Sequence, residues 1–212
     1  DGFHPASDEV SPLGPAGSLP VLPPFWLTSR RFRPSPEADE RAVLLDHAHC
    51  EKKAAGTALS LVSAYPHLPE LVKRCTKLAQ EELRHFQQVY AIIQARGLTL
   101  CRDKGETYAK SLIKAARNPD NQRLADRLLI AGIIEARSHE RLAILGHGLA
   151  GIDEELSTFY SALAQAEAGH ARLFVDLAER FCGGQDIAQR LDELLDIEAD
   201  IFRALPTEPR IH

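Results

Sequence analysis

One arrangement of residues occurs twice in this chain and limits what it can fold into: a lone Glu51 followed by Glu82-Leu83-Arg84-His85, and a lone Glu135 followed by Glu167-Ala168-Gly169-His170. The lone glutamate precedes the next one by 31 residues in the first copy and by 32 in the second. Within each Glu-x-x-His the two side chains fall on one face of a helix. Nearly equal offsets of this length suit two antiparallel helix pairs that present carboxylates and imidazoles at the same depth. Glu51, Glu82, His85, Glu135, Glu167 and His170 thus supply one Glu from each of two helices and a Glu-x-x-His from each of the other two. This is the ligand set with which a four-helix bundle holds a carboxylate-bridged pair of iron ions.

The Glu-x-x-His pairs alone are weak signals, because 17 Glu and 9 His in 212 residues place roughly one such pair in a chain by chance. Their surroundings carry more. Helical steps from Glu51 reach Leu44, Ala48, Ala55, Ala58, Leu59 and Val62, and from Glu82 they reach Cys75, Leu78, Ala79, Phe86, Val89 and Ile93. From Glu135 they reach Leu128, Ala131, His139 and Leu142, and from Glu167 they reach Tyr160, Leu163, Ala164, Ala171 and Phe174. All four glutamates lie on apolar stripes, where an unpaired carboxylate is costly to bury. Ordinary buried salt bridges would need Lys or Arg on those stripes, and hardly any is there. Divalent cations neutralise the set directly.

The remaining punctuation is that of one all-α domain. Helices are expected over about 37–64, 69–96, 103–117, 119–148, 153–182 and 186–204, with Pro69 at a first-turn position, Gly97 as a C-terminal cap and Gly151-Ile152-Asp153 as an entry. Residues 1–36 hold eight of the thirteen prolines and read as a Pro-rich N-terminal extension, with Phe25, Trp26 and Leu27 able to dock as an extended strap. The bundle is expected over 37–205 and a C-terminal tail over 206–212. A net charge of −5 gives no global basic signature, so a nucleic-acid partner needs a local patch. The four cysteines have no C-x-x-C spacing, no apolar run is long enough to span a bilayer, and no charged-then-apolar leader is visible. A cytoplasmic protein with no membrane partner is expected.

Four stretches carry a resemblance: Asp46-His-Ala-His-Cys-Glu-Lys-Lys-Ala-Ala55, Glu81-Glu-Leu-Arg-His-Phe86, Ile133-Ile-Glu-Ala-Arg-Ser-His-Glu-Arg141 and Glu167-Ala-Gly-His170. In them the chain resembles the ferritin-like tRNA hydroxylases of the MiaE type, over about residues 40 to 205. The resemblance implies a ferritin-like four-helix bundle with additional short helices. It implies a di-iron monooxygenase that uses O2 and a reductant to hydroxylate the isopentenyl group of 2-methylthio-N6-isopentenyladenosine at position 37 of tRNA, next to the anticodon. Two iron ions on the six residues above, the tRNA anticodon arm, and an electron-donor reductase or ferredoxin follow as cofactors and partners. The alternatives are a ferritin-like di-iron protein of another kind (an aldehyde-type oxygenase, or iron storage and peroxide scavenging) and a metal-free helical interaction protein. His139 departs from the resemblance, which leads one to expect cysteine there.

Other residues have two readings each. His85 and His170, as ligands through one nitrogen, need an acceptor for the other ring N–H, and Asp46 and Glu140 are candidates for that role or are solvated charges. His139 and His47 are satisfied core residues or contribute next to the metals; Tyr160 fills the core or lines a channel; Arg137 and Arg141 are bundle salt bridges or substrate contacts. Between Arg102 and Arg127 there are seven Lys or Arg against four acids. Lys104, Lys110, Lys114, Arg117 and Arg123 are accordingly either phosphate contacts for an RNA or a solvated helix face. Lys52 and Lys53 are expected at the rim.

Overall fold

The computed structural model describes residues 38–103, 105, 107–183, 186–205 and 211. The Pro-rich stretch expected over 1–36, Lys104, and most of the tail expected over 206–212 lie outside the described residues. The described chain forms α1 (Ala38–Ala64), α2 (Pro69–Ala95), α3 (Thr107–Ile113), α4 (Asp120–Leu149), α5 (Glu154–Cys182) and α6 (Ile187–Ala204), with no strand among the described residues.

The helix ends follow from local chemistry. Pro69 opens α2 where no backbone donor is needed. After α2, Gly97 adopts φ 66°, and the amides of Gly97 and Leu98 donate to the carbonyls of Gln94 and Ile93, both at 2.9 Å. This double bond closes the helix and requires the left-handed conformation that glycine tolerates. Asp153 caps α5 by accepting the Leu156 amide at 3.0 Å, and Asp186 caps α6 by accepting that of Gln189 at 2.9 Å. α3 is shorter than the expected 103–117. Before it, Gly105 sits at φ 83° and donates its amide to Asp103, a turn no helix can include. After it, Ala115 and Ala116 bond back only three residues, to Leu112 and Ile113.

The core divides into two apolar clusters, and their order along each helix reveals the topology. One cluster contains Val43, Leu44 and Ala48 of α1, Val89 and Ile93 of α2, Leu142 and Leu145 of α4, and Leu156, Tyr160 and Leu163 of α5. The other contains Ala58 and Leu61 of α1, Leu71, Cys75 and Leu78 of α2, Leu124 to Ile133 of α4, and Phe174, Leu177 and Ala178 of α5. α1 and α5 therefore run from the first cluster to the second, while α2 and α4 run the other way. α1 pairs with α2 and α4 with α5 as antiparallel hairpins, and the segment holding α3 crosses the length of the bundle between them. Within the α4–α5 pair, a Cβ at Gly146 would run into Ser161 Oγ, so glycine sets that close approach.

The layer between the two clusters is where Glu51, Glu82, His85, Glu135, Glu167 and His170 fall. α6 lies outside the bundle, pinned by two ion clusters. Asp126 accepts from Arg117 and Arg190, and buried Glu198 accepts from Arg137 at 2.7 Å and from the Tyr108 hydroxyl at 3.0 Å.

Candidate metal centre

Four helices each bring a buried glutamate to mid-bundle, because each carries it on the stripe that also holds core Leu, Ala or Val. Their donor atoms form two overlapping groups, Glu51, Glu82, His85 and Glu167, and then Glu82, Glu135, Glu167 and His170, with atoms in each group within 4.8 Å of one another. Glu82 and Glu167 belong to both. A pair of metal ions would thus share these two carboxylates, with Glu51 and His85 at one position and Glu135 and His170 at the other. His85 Nδ1 lies 3.4 Å from Glu51, 3.6 Å from Glu82 and 3.8 Å from Glu167. His170 Nδ1 lies 2.7 Å from Glu82 and 3.5 Å from Glu167.

These atoms converge without pairing well. Glu51 Oε2, both oxygens of Glu82, Glu167 Oε1 and the Nδ1 atoms of His85 and His170 are buried and lack a hydrogen bond of good geometry, even where the separation is short. Native interiors rarely leave so many polar atoms unmet in one place. At 4.8 Å two carboxylate charges repel by on the order of 3 kcal/mol even at an effective dielectric near 20. Among the described residues no arginine relieves this: Arg137 is engaged with Glu198 and Glu140, and Arg141 donates to the Ile211 carbonyl and lies over the Tyr108 and Phe202 rings. The donor set, the orphaned lone pairs and the missing cations all fit two divalent metals.

Without a metal, protons take the place of that charge. Burial works against a charged His85, but Glu51 and Glu82 outweigh it and raise the imidazole to about 9. For His170 burial is outweighed in the same way by Glu167 and Glu82, and the result is about 10. Burial, reinforced by Glu167 and Glu82, pushes the Glu135 carboxyl well above the usual range. Glu51 goes the other way: burial would raise it, yet His47 holds it low through a 2.6 Å contact from Nε2. Metal binding must therefore release protons.

The neighbours sort the remaining expectations. His139, half-buried, places Nδ1 2.7 Å from the Ala164 carbonyl and is satisfied there. His47 is next to the glutamate and histidine cluster, wedged against Tyr160 and Phe159. Asp46 and Glu140 are engaged elsewhere: Asp46 accepts the Ile211 amide and Glu140 accepts from Arg137. The carboxylate beside His170 Nε2, at 3.4 Å, is instead Glu81. The Glu81-Glu82 doublet was the available signal, since adjacent residues on a helix point to neighbouring faces.

A cleft of about 640 Å³ leads to the cluster between α1 and α4, lined by Glu51, Glu82, Glu135 and Glu167 at its base and by Ala54, Ala109, Ile113, Ala131 and Ile134 along its walls. Lys52, Lys53, Asp103 and Lys110 stand around it, with Lys53 3.6 Å from Asp103. A second groove of about 400 Å³ continues from the same wall to Arg123 and Arg127. Of the expected basic residues, Lys110 and Arg123 thus line the openings and Lys114 is exposed. Arg117 is turned inward onto Asp126, with contacts down to 2.7 Å.

A protein from Pseudomonas putida described as tRNA 2-(methylsulfanyl)-N(6)-isopentenyladenosine(37) hydroxylase is 36% identical, over 82% of this chain and 84% of its own length. Its namesake from Salmonella typhimurium is 35% identical over 80% of this chain and 79% of its own. Among solved structures, a protein with aldehyde deformylating oxygenase activity from Synechococcus superposes with a TM-score of 0.80 and 37% identity, covering 92% of this chain and 96% of that one. The family described as tRNA-(MS[2]IO[6]A)-hydroxylase (MiaE) matches residues 30–212, and with the paired Glu-x-x-His cluster at mid-bundle the chain belongs to that family.

Proposed function

We propose that this protein hydroxylates the isopentenyl group of 2-methylthio-N6-isopentenyladenosine at position 37 of tRNA, as a di-iron monooxygenase of the cytoplasm. The observation that carries the reading is a metal-capable Glu and His cluster at the base of an apolar-walled cleft ringed by lysines. Glu51, Glu82, His85, Glu135, Glu167 and His170 would hold two iron ions. A ferrous pair so held supplies the reduction of dioxygen to an oxidant that replaces an aliphatic hydrogen with hydroxyl. The protein does the rest by placement. Ala54, Ala109, Ile113, Ala131 and Ile134 form an apolar passage that fits the isopentenyl arm and keeps water from the reacting carbon. Lys110, with Lys52, Lys53, Lys114 and Arg123 nearby, meets the phosphates of the anticodon arm, whose modified base leaves its stack to enter.

Nucleoside mass spectrometry of tRNA from cells with and without the gene tests this. The hydroxylated nucleoside is expected to vanish and its unhydroxylated precursor to accumulate; unchanged nucleosides would reject the proposal.

The Synechococcus likeness favours a second reading, a di-iron oxygenase acting on an aldehyde. Such a substrate has no use for lysines at the mouth of the cleft. Formation of formate from long-chain aldehydes, with no effect of tRNA, would support that reading over the first.

A further inference from the structure

The two sides of the bundle differ in what they offer a partner. The substrate cleft opens between α1 and α4, and of its lining only Glu82 and Glu167 come from α2 and α5. On the opposite side α2 and α5 cover the two imidazoles, whose rings stack at 5.8 Å, and His85 keeps 15% of its side chain exposed there. The outward stripe of α2 above them carries Lys73, Lys77 and Arg84 beside exposed Leu83. Glu81, at the edge of that stripe, turns one oxygen to Lys77 at 3.7 Å and Arg84 at 3.8 Å, while its other oxygen lies 3.4 Å from His170 Nε2. A continuous series of polar contacts therefore runs from the surface cations to a histidine of the metal cluster. On α5 the adjoining surface is open at Gly169.

We propose that this outward face of α2, formed by Lys73, Lys77, Leu83 and Arg84, docks an acidic one-electron donor of the two-iron two-sulfur ferredoxin class, which reduces the metal centre through Glu81 and His170. The proposal rests on the hydroxylase reading in one respect, the need for a reductant. Hydroxylation consumes R–H, O2, two electrons and two protons and yields R–OH and water, so two donors are each oxidised by one electron per turnover. Charge complementarity selects the partner: the chain as a whole carries −5, yet this stripe carries Lys73, Lys77 and Arg84 against Glu70 and Glu81, a local positive balance with exposed Leu83 at its flank, the pattern that steers an acidic protein into place. A tRNA whose base enters the cleft approaches from the far side and leaves this face free.

The test uses iron-loaded protein in its oxidised state, mixed anaerobically and without tRNA with a plant-type ferredoxin kept reduced by its NADPH-dependent reductase. Affinity is read by calorimetry and reduction by bleaching of the oxidised metal centre, with dithionite as the reductant that needs no docking. The Lys77→Glu/Arg84→Glu variant should bind about tenfold more weakly at low salt, with its ferredoxin-driven rate falling relative to its dithionite-driven rate. Lys73→Glu/Leu83→Asn, which leaves the partners of Glu81 in place, should act in the same direction. Unaltered affinity in both variants would overturn the assignment. So would a wild-type protein that dithionite reduces but ferredoxin neither binds nor reduces, or variants that ferredoxin still reduces at the wild-type rate. Because tRNA is absent, failure here leaves the hydroxylase reading standing.

Discussion

The two halves of the glutamate and histidine cluster repeat one pattern in different surroundings. Glu51 accepts a 2.6 Å contact from His47 and is held low as a result. Glu135 has the carboxylates of Glu167, Glu82 and Glu51 around it and is pushed well up. The histidine nearest in sequence to Glu135, His139, is turned to the Ala164 carbonyl instead. At the other end of the comparison, His170 has the outer carboxylate Glu81 at 3.4 Å. One position is thus supported through its lone glutamate and the other through its histidine. Repetition of ligands in a sequence sets where metals can sit, whereas the neighbours of those ligands decide how readily each position gives up its protons to a metal.

The largest effects should come from the residues the halves share. Glu82→Gln or Glu167→Gln removes a ligand from both groups and should reduce iron from two per chain to nearly none, measured by metal analysis after anaerobic loading. Glu135→Ala or His170→Ala should lose the iron at one position and retain the other, with helix content by circular dichroism unchanged. Full occupancy and turnover in either single variant would break the assignment of two positions.

The next effect is on pH dependence of the metal-free protein. His85 is raised from 6.5 to about 9 and His170 from 6.5 to about 10. Their stabilising contribution is fully present below 6.5, where both folded and unfolded chains bind the proton, and is lost as pH rises through about 9 and about 10. Glu135, raised from 4.5, has the same sign: the folded chain keeps a proton that the unfolded chain has released, so its contribution also falls with rising pH. Glu51 has the opposite sign, contributing above 4.5 and losing that contribution in acid. Denaturation midpoints of the metal-free protein should therefore fall across the alkaline range by an amount on the order of a few kcal/mol. Iron-loaded protein should show no such fall, since metal has displaced those protons. A flat metal-free profile would mean that the histidines do not share protons with the carboxylates.

What could be read from sequence divides along the same line. The six cluster residues and the helix ends at Pro69, Gly97 and Asp153 depend on spacing and local backbone chemistry, which a linear pattern records. Glu81 and the fate of Arg117 depend on which helices meet, and a linear pattern does not contain that. In the linear pattern Arg117 is one of several surface cations, because its partner Asp126 lies about two helix turns beyond Pro119, and Arg190, which shares Asp126, belongs to α6. α3 is shorter than a linear pattern suggests for a related reason: Gly105 at φ 83° prevents the helix from starting before it.

The smallest effects separate the two histidines that differ most between the halves. His47→Leu removes the contact that holds Glu51, and metal affinity at that position should drop about tenfold while the other position is unaffected. His139→Leu leaves the Ala164 carbonyl without its partner and should cost about 1 to 2 kcal/mol of stability with metal affinity unchanged. Anaerobic Co(II) titration followed by visible absorption resolves the first, and urea denaturation of the metal-free protein resolves the second. If His139→Leu weakened Co(II) binding as much as His47→Leu, the asymmetry would dissolve, and His139 would have to turn from Ala164 toward Glu135 once metal is present.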